Sequence, residues 1–138
     1  LIGEATAERV KAKIGSAIED ADHRQMQIKG RDVTEGMSRS IVIGSDEIYV
    51  AINDALQRIV RAIRETLENT PPELSADIFE RGMVIAGGGA LLRDMDRRLM
   101  QETRLPVVIA EDPLTCVARG CGRALEELAV LGVVFARE

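Results

Sequence analysis

A run of three glycines, Gly87 to Gly89, is the feature of this sequence best suited to hold a ligand. It follows the apolar residues Met83 to Ala86 and precedes the opening of a predicted helix. Glycine has no Cβ, so its backbone reaches positive φ and a flat group can lie against it. Open α/β sheets bind ligands beyond the carboxyl ends of their strands, where a helix N-terminus presents free N–H groups. The turn is therefore either a ligand cradle or a point of tight packing, and these residues alone leave both interpretations open.

The glycine run matches neither of two common nucleotide-binding motifs. In the dinucleotide fingerprint G-x-G-x-x-G the third glycine would fall on Leu92, whose side chain is too large for that helix–strand contact. No Gly-Lys-Ser/Thr follows the turn, which excludes a Walker loop.

Glu8 and Lys11 are a second candidate pair, on a predicted helix over residues 4–14. Ala7, Val10 and Ile14 form the apolar stripe of that helix. Residues three apart are neighbours on a helix surface, where an ion pair contributes about 0.2–0.5 kcal/mol. The spacing alone favours such a surface pair over a ligand contact.

The composition predicts one domain with an aliphatic core and no nucleic-acid partner. The 138 residues are 46% hydrophobic but only 2% aromatic, and the net charge is -5. Arg93, Arg97 and Arg98 are interrupted by Asp94 and Asp96, which predicts a solvated helix face rather than a basic patch.

The cysteines and the ends of the chain add three expectations. Cys116 and Cys121 have no second Cys or His pair beside them, so we expect reduced thiols and no metal site. No stretch is apolar enough to cross a membrane, so we expect no direct membrane segment in this chain. The start at Leu1 rather than Met suggests a fragment of a longer protein.

The hydrophobic periodicity predicts alternating helices and strands. The predicted helices are 4–14, 45–68, 71–81, the segment after the glycines up to Arg104, and a segment after Pro113. The predicted strands are 25–29, 39–43, 83–86 and 107–110. The first two look like an antiparallel unit, and the apolar run at 83–86 predicts a strand covered on both faces. We expect the apolar residues 130–135 to pack as well.

Local signals add expectations for single residues. Ser45 and Thr70 stand where helix N-caps are expected, and Leu74 should face the core. Gly120 and Gly122 lie inside a predicted helix, where each costs about 1 kcal/mol relative to alanine. Close packing against another backbone would compensate for that cost.

Five blocks of the sequence, in order, resemble the second half of the MreB family of bacterial actins. They are Gly-Glu-Ala-Thr-Ala-Glu-Arg-Val-Lys at 3–11, Pro-Pro-Glu-Leu at 71–74, Glu-Arg-Gly-Met at 80–83, Gly-Gly-Gly-Ala-Leu-Leu-Arg at 87–93 and Glu-Asp-Pro-Leu-Thr-Cys-Val-Ala at 111–118. The resemblance implies an α/β fold, the second half of the actin-like ATPase fold shared with heat-shock chaperones and sugar kinases, with an inserted small α+β subdomain. Residues 1–14 and 82–138 would belong to the larger, nucleotide-facing subdomain. Residues 15–81, with two strands and two helices, would form the smaller one.

The resemblance also implies a binding site for the adenosine part of ATP or ADP, and it reverses the interpretation of Glu8 and Lys11. The implied site residues are Glu8, Arg9, Val10, Lys11, Gly87, Gly88, Gly89 and Ala90. The ligands of Mg²⁺ and of the phosphates would lie outside this chain, which would contain no catalytic or metal-binding residue. We therefore expect that the fragment does not hydrolyse ATP on its own.

The role implied is that of a cytoplasmic filament protein beneath the inner membrane that sets rod shape by guiding cell-wall synthesis. Its implied partners are other copies of itself, cell-wall synthesis proteins and membrane-anchoring proteins. One alternative is a fragment of a sugar or acetate kinase or of a chaperone ATPase with the same fold. Another is an interaction module that docks through the helix at Ile48–Leu67 and does not bind nucleotide.

Overall fold

The computed structural model describes residues 1–19 and 22–127 and confirms the predicted mixture of helices and strands. The expected segment at 130–135 lies outside the described residues. The elements are α1 (Glu4–Ile14), β1 (Gln25–Arg31), β2 (Ser38–Gly44), α2 (Ser45–Glu68), α3 (Pro72–Arg81), β3 (Met83–Ile85), a 3-10 turn (Gly88–Leu91), α4 (Met95–Thr103), β4 (Val107–Ile109) and α5 (Cys116–Glu126).

The strands form two separate pairs. β1 and β2 are antiparallel, as predicted, and Ile28 lies opposite Ile41. β3 and β4 are parallel, with Met83 opposite Val107. The α4 helix connects β3 to β4, so this part of the chain is a βαβ unit with the glycine turn at its first strand end.

Two aliphatic clusters form the core. The larger one joins α2, α4 and β4 through Leu56, Val60, Leu99 and Val107. The smaller one joins α1 to the hairpin and is formed by Val10, Ile14, Ile28 and Ile43. The predicted stripe of α1 is therefore buried, and it turns the opposite side of the helix, with Glu8 and Lys11, away from this cluster.

The predicted solvated face of arginines is wrong for Arg93 and Arg98. Arg98 is only 8% exposed, and its Nη1 donates a hydrogen bond to Tyr49 Oη at 3.0 Å. The Arg93 side chain is 22% exposed and bonds Asp22 Oδ2 at 3.0 Å. Arg98 is buried and Arg93 is half-buried because their acceptors come from distant segments, which local charge spacing does not reveal. Arg97 remains exposed, as expected.

Two predictions of burial are also wrong within the described residues. Val84, in the centre of β3, is 72% exposed because β4 is the only strand beside it and no described element covers that face. Leu74 is 55% exposed, and α3 contains no buried residue.

The helix caps use different atoms from those expected. Gly44 precedes α2, and its N–H donates to Glu47 Oε1 at 3.0 Å, while Ser45 Oγ accepts the Arg24 N–H at 3.2 Å. Thr70 Oγ1 donates to Thr66 O at 2.7 Å. The Thr70 hydroxyl thus satisfies a free carbonyl at the end of α2 instead of capping α3.

The expected compensation for the glycines of α5 is absent from the described part of the chain. A Cβ built on Gly120 or Gly122 would have no atom within 4 Å. None of the α5 residues is buried, so these glycines make no close backbone contact here.

Candidate functional site

The glycine turn leaves β3 through a backbone conformation that favours glycine. Gly87 has φ 82° and ψ 176°, and its N–H donates to Pro113 O at 2.7 Å. Ala90 N then donates to Gly87 O, and Leu92 N donates to Gly89 O, each at 3.2 Å. These bonds fold the turn into a single 3-10 helix before α4 begins. The predicted turn is confirmed, but α4 starts at Met95 rather than at the glycines.

Gly88 and Gly89 present an open backbone surface. Within residues 1–19 and 22–127, neither N–H group has a hydrogen-bond acceptor, as is usual at the first positions of a helix. A Cβ on Gly89 would meet no atom within 4 Å, and one on Gly88 would meet only Leu114 Cδ2, at 3.6 Å. A ligand can therefore approach both glycines closely.

A cavity of about 390 Å³ lies between this turn, α1 and α2. Its polar side chains are those of Glu8 and Lys11, and its glycine wall is formed by Gly88 and Gly89. The rest of the wall is apolar and includes Ile52, Ala55, Ile59, Leu91, Leu92 and Leu114. Its volume lies within the range of small-molecule sites, and so does its combination of apolar walls with few polar groups.

Glu8 and Lys11 form an ion pair on the α1 side of this cavity. Lys11 Nζ lies 2.8 Å from Glu8 Oε1, with side-chain exposures of 43% and 67%. Exposed pairs of this kind contribute little to stability. A ligand that accepts or donates hydrogen bonds here can therefore rearrange the pair at small cost.

Four of the eight predicted site residues line the cavity: Glu8, Lys11, Gly88 and Gly89. Val10 is 2% exposed and belongs to the smaller core cluster, and Arg9 lies outside the cavity wall. Four consecutive helical residues point in four directions about 100° apart, so only Glu8 and Lys11 share the cavity side. Gly87 and Ala90 belong to the glycine turn but do not line the cavity, and Ala90 is buried.

Sequence reasoning missed the contribution of α2 to the cavity. Ile52, Ala55 and Ile59 belong to the apolar stripe of α2, whose residues recur at helical spacing, and all three line the cavity. Ile59 remains 42% exposed, so the stripe is wider than the core needs. The width of this apolar stripe can be read from the sequence.

The described residues show no sign of two other kinds of site. Among residues 1–19 and 22–127, no group of three or more His, Cys, Asp or Glu side chains is placed to hold a metal ion. No helix within those ranges is both long and apolar enough to cross a membrane.

Comparisons with known proteins give one consistent match. The family described as "MreB/Mbl protein" matches residues 1–132. The chain is 55% identical over 132 residues to the cell shape-determining protein MreB of Escherichia coli (strain K12). The matched region covers 96% of this chain and 38% of that protein. It is 46% identical over 128 residues to the cell shape-determining protein Mbl of Bacillus subtilis (strain 168), again 38% of that protein. The chain thus spans little more than a third of these relatives.

Solved structures show the same likeness in three dimensions. The crystal structure of MreB5 of Spiroplasma citri bound to ADP superposes with a TM-score of 0.87 at 41% identity, over 92% of this chain and 39% of that one. The structure of the same protein bound to AMPPNP gives a TM-score of 0.86. The expected fold class, part of an actin-like α/β fold, is confirmed.

Proposed function

The chain belongs to the MreB/Mbl family, and we propose that it is part of a cell shape-determining, actin-like protein whose adenosine subsite is the cavity between α1 and the glycine turn. One observation carries the proposal. The fold brings Glu8 and Lys11 together with Gly88 and Gly89 around one cavity, although the two segments are far apart in sequence. The resemblance implies adenosine-binding roles for both segments, whereas neither segment alone indicates a shared site.

The chemistry of the cavity suits an adenosine group. The apolar side chains of Ile52 and Ile59 offer a dry wall for the flat face of adenine, and the Lys11 stem can cover the ring. The Glu8 carboxylate can accept hydrogen bonds from both ribose hydroxyls. The open backbone of Gly88 and Gly89 allows the ligand to lie within van der Waals contact.

In this proposal the phosphates and Mg²⁺ are held by residues outside this chain. The solved relatives are bound to ADP and AMPPNP, which supports a nucleotide as the ligand. Phosphoryl transfer depends on metal ions and on exact positioning of the phosphates and water. We therefore propose that this chain supplies no catalytic residue and does not hydrolyse ATP by itself.

We propose the same division into subdomains that the resemblance implies. Residues 1–14 and 82–138 belong to the larger, nucleotide-facing subdomain, and residues 15–81 form the smaller one. The larger core cluster contains Leu56 from one side of this division and Leu99 from the other, which supports a firmly packed junction. The smaller subdomain would carry the contact with the next copy in a filament.

The proposed cellular role is based on the relatives MreB and Mbl, which are cell shape-determining proteins. The protein would act in the cytoplasm, beneath the inner membrane, as a filament of identical copies. Cell-wall synthesis proteins and membrane-anchoring proteins would be its partners, and rod shape would be the outcome.

Calorimetric titration of ADP and ATP into the chain tests the proposed site. Gly88→Val places a side chain at the glycine wall of the cavity, where its Cβ would meet only Leu114 Cδ2, at 3.6 Å. Glu8→Ala removes the proposed ribose acceptor. Matched controls are Gly122→Val, on a helix surface with no atom within 4 Å, and Glu4→Ala, at the exposed start of α1.

We expect ADP to bind the unmodified chain and both controls. Both cavity variants should abolish this binding or weaken it at least tenfold. Binding that is insensitive to Gly88→Val would place the nucleotide elsewhere. No binding by the unmodified chain at millimolar ADP would contradict a preformed adenosine subsite and would favour the interaction module.

A further inference from the structure

The end of α1 and the end of the glycine turn meet in one hydrogen-bonded cluster. Ser16 is 1% exposed, and its hydroxyl donates to Asp94 Oδ2 at 3.0 Å, 78 positions away in sequence. The same hydroxyl accepts the Ile18 N–H at 3.2 Å. The Ala17 N–H donates to Arg93 O at 2.8 Å. Two direct bonds thus join residues 16–17 to residues 93–94.

Asp94 occupies this cluster in a left-handed backbone conformation. Its φ and ψ are 60° and 20°, a region that aspartate and asparagine enter more readily than most residues. Its Oδ1 accepts a bond from Arg97 Nη1 at 3.0 Å, and its carbonyl accepts the Arg98 N–H at 2.9 Å. Asp94 therefore sets both the exit direction of the turn and the start of α4.

Arg93 strengthens the same junction from the other side. Its Nη2 lies 3.5 Å from Ile14 O, a carbonyl at the end of α1, and its Nη1 bonds Asp22 Oδ2 at 3.0 Å. A cation at a helix C-terminus is favoured by the helix dipole. Arg93 thus binds the last turn of α1 and the segment that follows it.

This cluster links the two polar walls of the cavity. Glu8 and Lys11 lie on α1, and Gly88 and Gly89 lie on the turn. Among the described residues, no hydrogen bond joins α1 directly to residues 87–91. The distance between the two walls is therefore set by apolar packing and by the cluster that begins two residues after α1 ends.

We propose that Ser16 and Asp94 are positioning residues that hold α1 and the glycine turn at the spacing that adenosine requires. The inference rests on the proposed adenosine subsite. Neither residue lines the cavity, so each acts through the backbone that it holds. The hydrogen bond between them joins the buried Ser16 hydroxyl to the Asp94 carboxylate. Hydrogen bonds to charged groups are stronger than those between neutral groups.

Three variants separate this role from general stability. Asp94→Gly removes the carboxylate and keeps the backbone unstrained, since glycine adopts φ 60° readily. Asp94→Asn keeps an oxygen that can accept the Ser16 hydroxyl. Ser16→Ala removes the donor instead.

The chain offers a matched control in Arg104→Gly. Arg104 has the same φ and ψ, 60° and 20°, but caps the far end of α4. The control therefore makes the same backbone change at a left-handed residue outside the cluster.

Two measurements are made on the unmodified chain and on each variant. Calorimetry gives the dissociation constant for ADP. Hydrogen–deuterium exchange gives the opening of the turn at the amides of Ala90 and Leu92, which bond Gly87 O and Gly89 O. Asp94→Gly and Ser16→Ala should weaken ADP binding about tenfold, equivalent to one hydrogen bond of this kind, and should speed exchange at Ala90 and Leu92. Asp94→Asn should stay within about threefold of the unmodified chain, and Arg104→Gly should change neither quantity.

Unchanged exchange at Ala90 and Leu92 in Asp94→Gly, or an equal effect of Arg104→Gly, would overturn the inference. The exchange measurement needs no nucleotide, so it decides the positioning role even if ADP does not bind. A failure of the unmodified chain to bind ADP counts against the proposed function alone.

Discussion

Arg98 and Tyr49 join α4 to α2 through a hydrogen bond of 3.0 Å between Nη1 and the phenolic oxygen. Arg98 is 8% exposed, and its Nε forms an ion pair with Glu102 Oε1 at 3.2 Å. The other oxygen of Glu102 bonds Arg64 on α2 at 2.8 Å. Polar contacts on α4 therefore connect to α2 in two places around an aliphatic core.

Removing the Tyr49 hydroxyl should destabilise the fold. In Tyr49→Phe the buried Arg98 loses an acceptor, so we expect the free energy of unfolding to fall by about 1–2 kcal/mol. Urea denaturation followed by circular dichroism measures this. Arg58→Met, an exposed arginine on α2, is the control and should change stability by less than about 0.5 kcal/mol. A Tyr49→Phe variant as stable as the parent would show that this bond does not support the core.

Two glycine-to-alanine changes should have opposite effects. Gly82 ends α3 with φ 79°, and a Cβ there would collide with the Pro106 carbonyl and lie 2.7 Å from Pro106 Cβ. Gly82→Ala should therefore destabilise the chain by more than about 2 kcal/mol. Thermal or urea denaturation would show this as a lowered midpoint.

Gly120→Ala should instead stabilise the chain by up to about 1 kcal/mol, because alanine favours the helix and the position is open. The same denaturation experiment measures it. A loss of stability in Gly120→Ala would mean that another backbone does pack against α5, as the sequence alone suggested.

Asp22 should titrate below its ordinary value. Hydrogen bonds from the Arg24 guanidinium, at 3.0 and 2.8 Å, are the main cause that lowers the pKa of Asp22 from 3.8, and the charge of Arg93 adds to it. The folded state thus favours the carboxylate. The resulting stabilisation is complete above pH 3.8 and is lost as the pH falls through the lower folded pKa.

Carboxyl ¹³C NMR as a function of pH measures this pKa directly. Arg24→Gln should raise the pKa of Asp22 towards 3.8. Arg58→Gln, on a different segment, should leave it unchanged. A pKa of Asp22 at or above 3.8 in the unmodified chain would show that the Arg24 bonds do not form in solution.

Local sequence signals were sufficient for the elements but not for the contacts between them. Patterns of neighbouring residues predict β1, α2 and the glycine turn, and the structure contains all three. The burial of Arg98 depends on Tyr49, which is 49 positions away, so charge spacing on α4 could not reveal it. The exposure of Val84 likewise depends on which elements lie beside β3, not on its own apolar run.

The candidate site divides in the same way. The glycine turn can be predicted from the sequence because the backbone freedom of glycine depends on the residue type alone. Glu8 and Lys11 look like a surface pair, and their ion pair of 2.8 Å does exist. Only the fold places that pair on the cavity that Gly88 also lines, and only the fold adds Ile52 and Ile59.

Amide chemical-shift mapping of the ¹⁵N-labelled chain tests whether adenosine binds between α1 and the glycine turn. With ADP and then with adenosine, we expect the largest shifts in both cavity walls, at residues 8–12 and 87–92. The two ligands should give the same pattern there. Gly88→Val should remove those shifts, and Gly122→Val should preserve them. Shifts confined to one wall, or centred on the hairpin at residues 28–41, would contradict an adenosine subsite between α1 and the glycine turn.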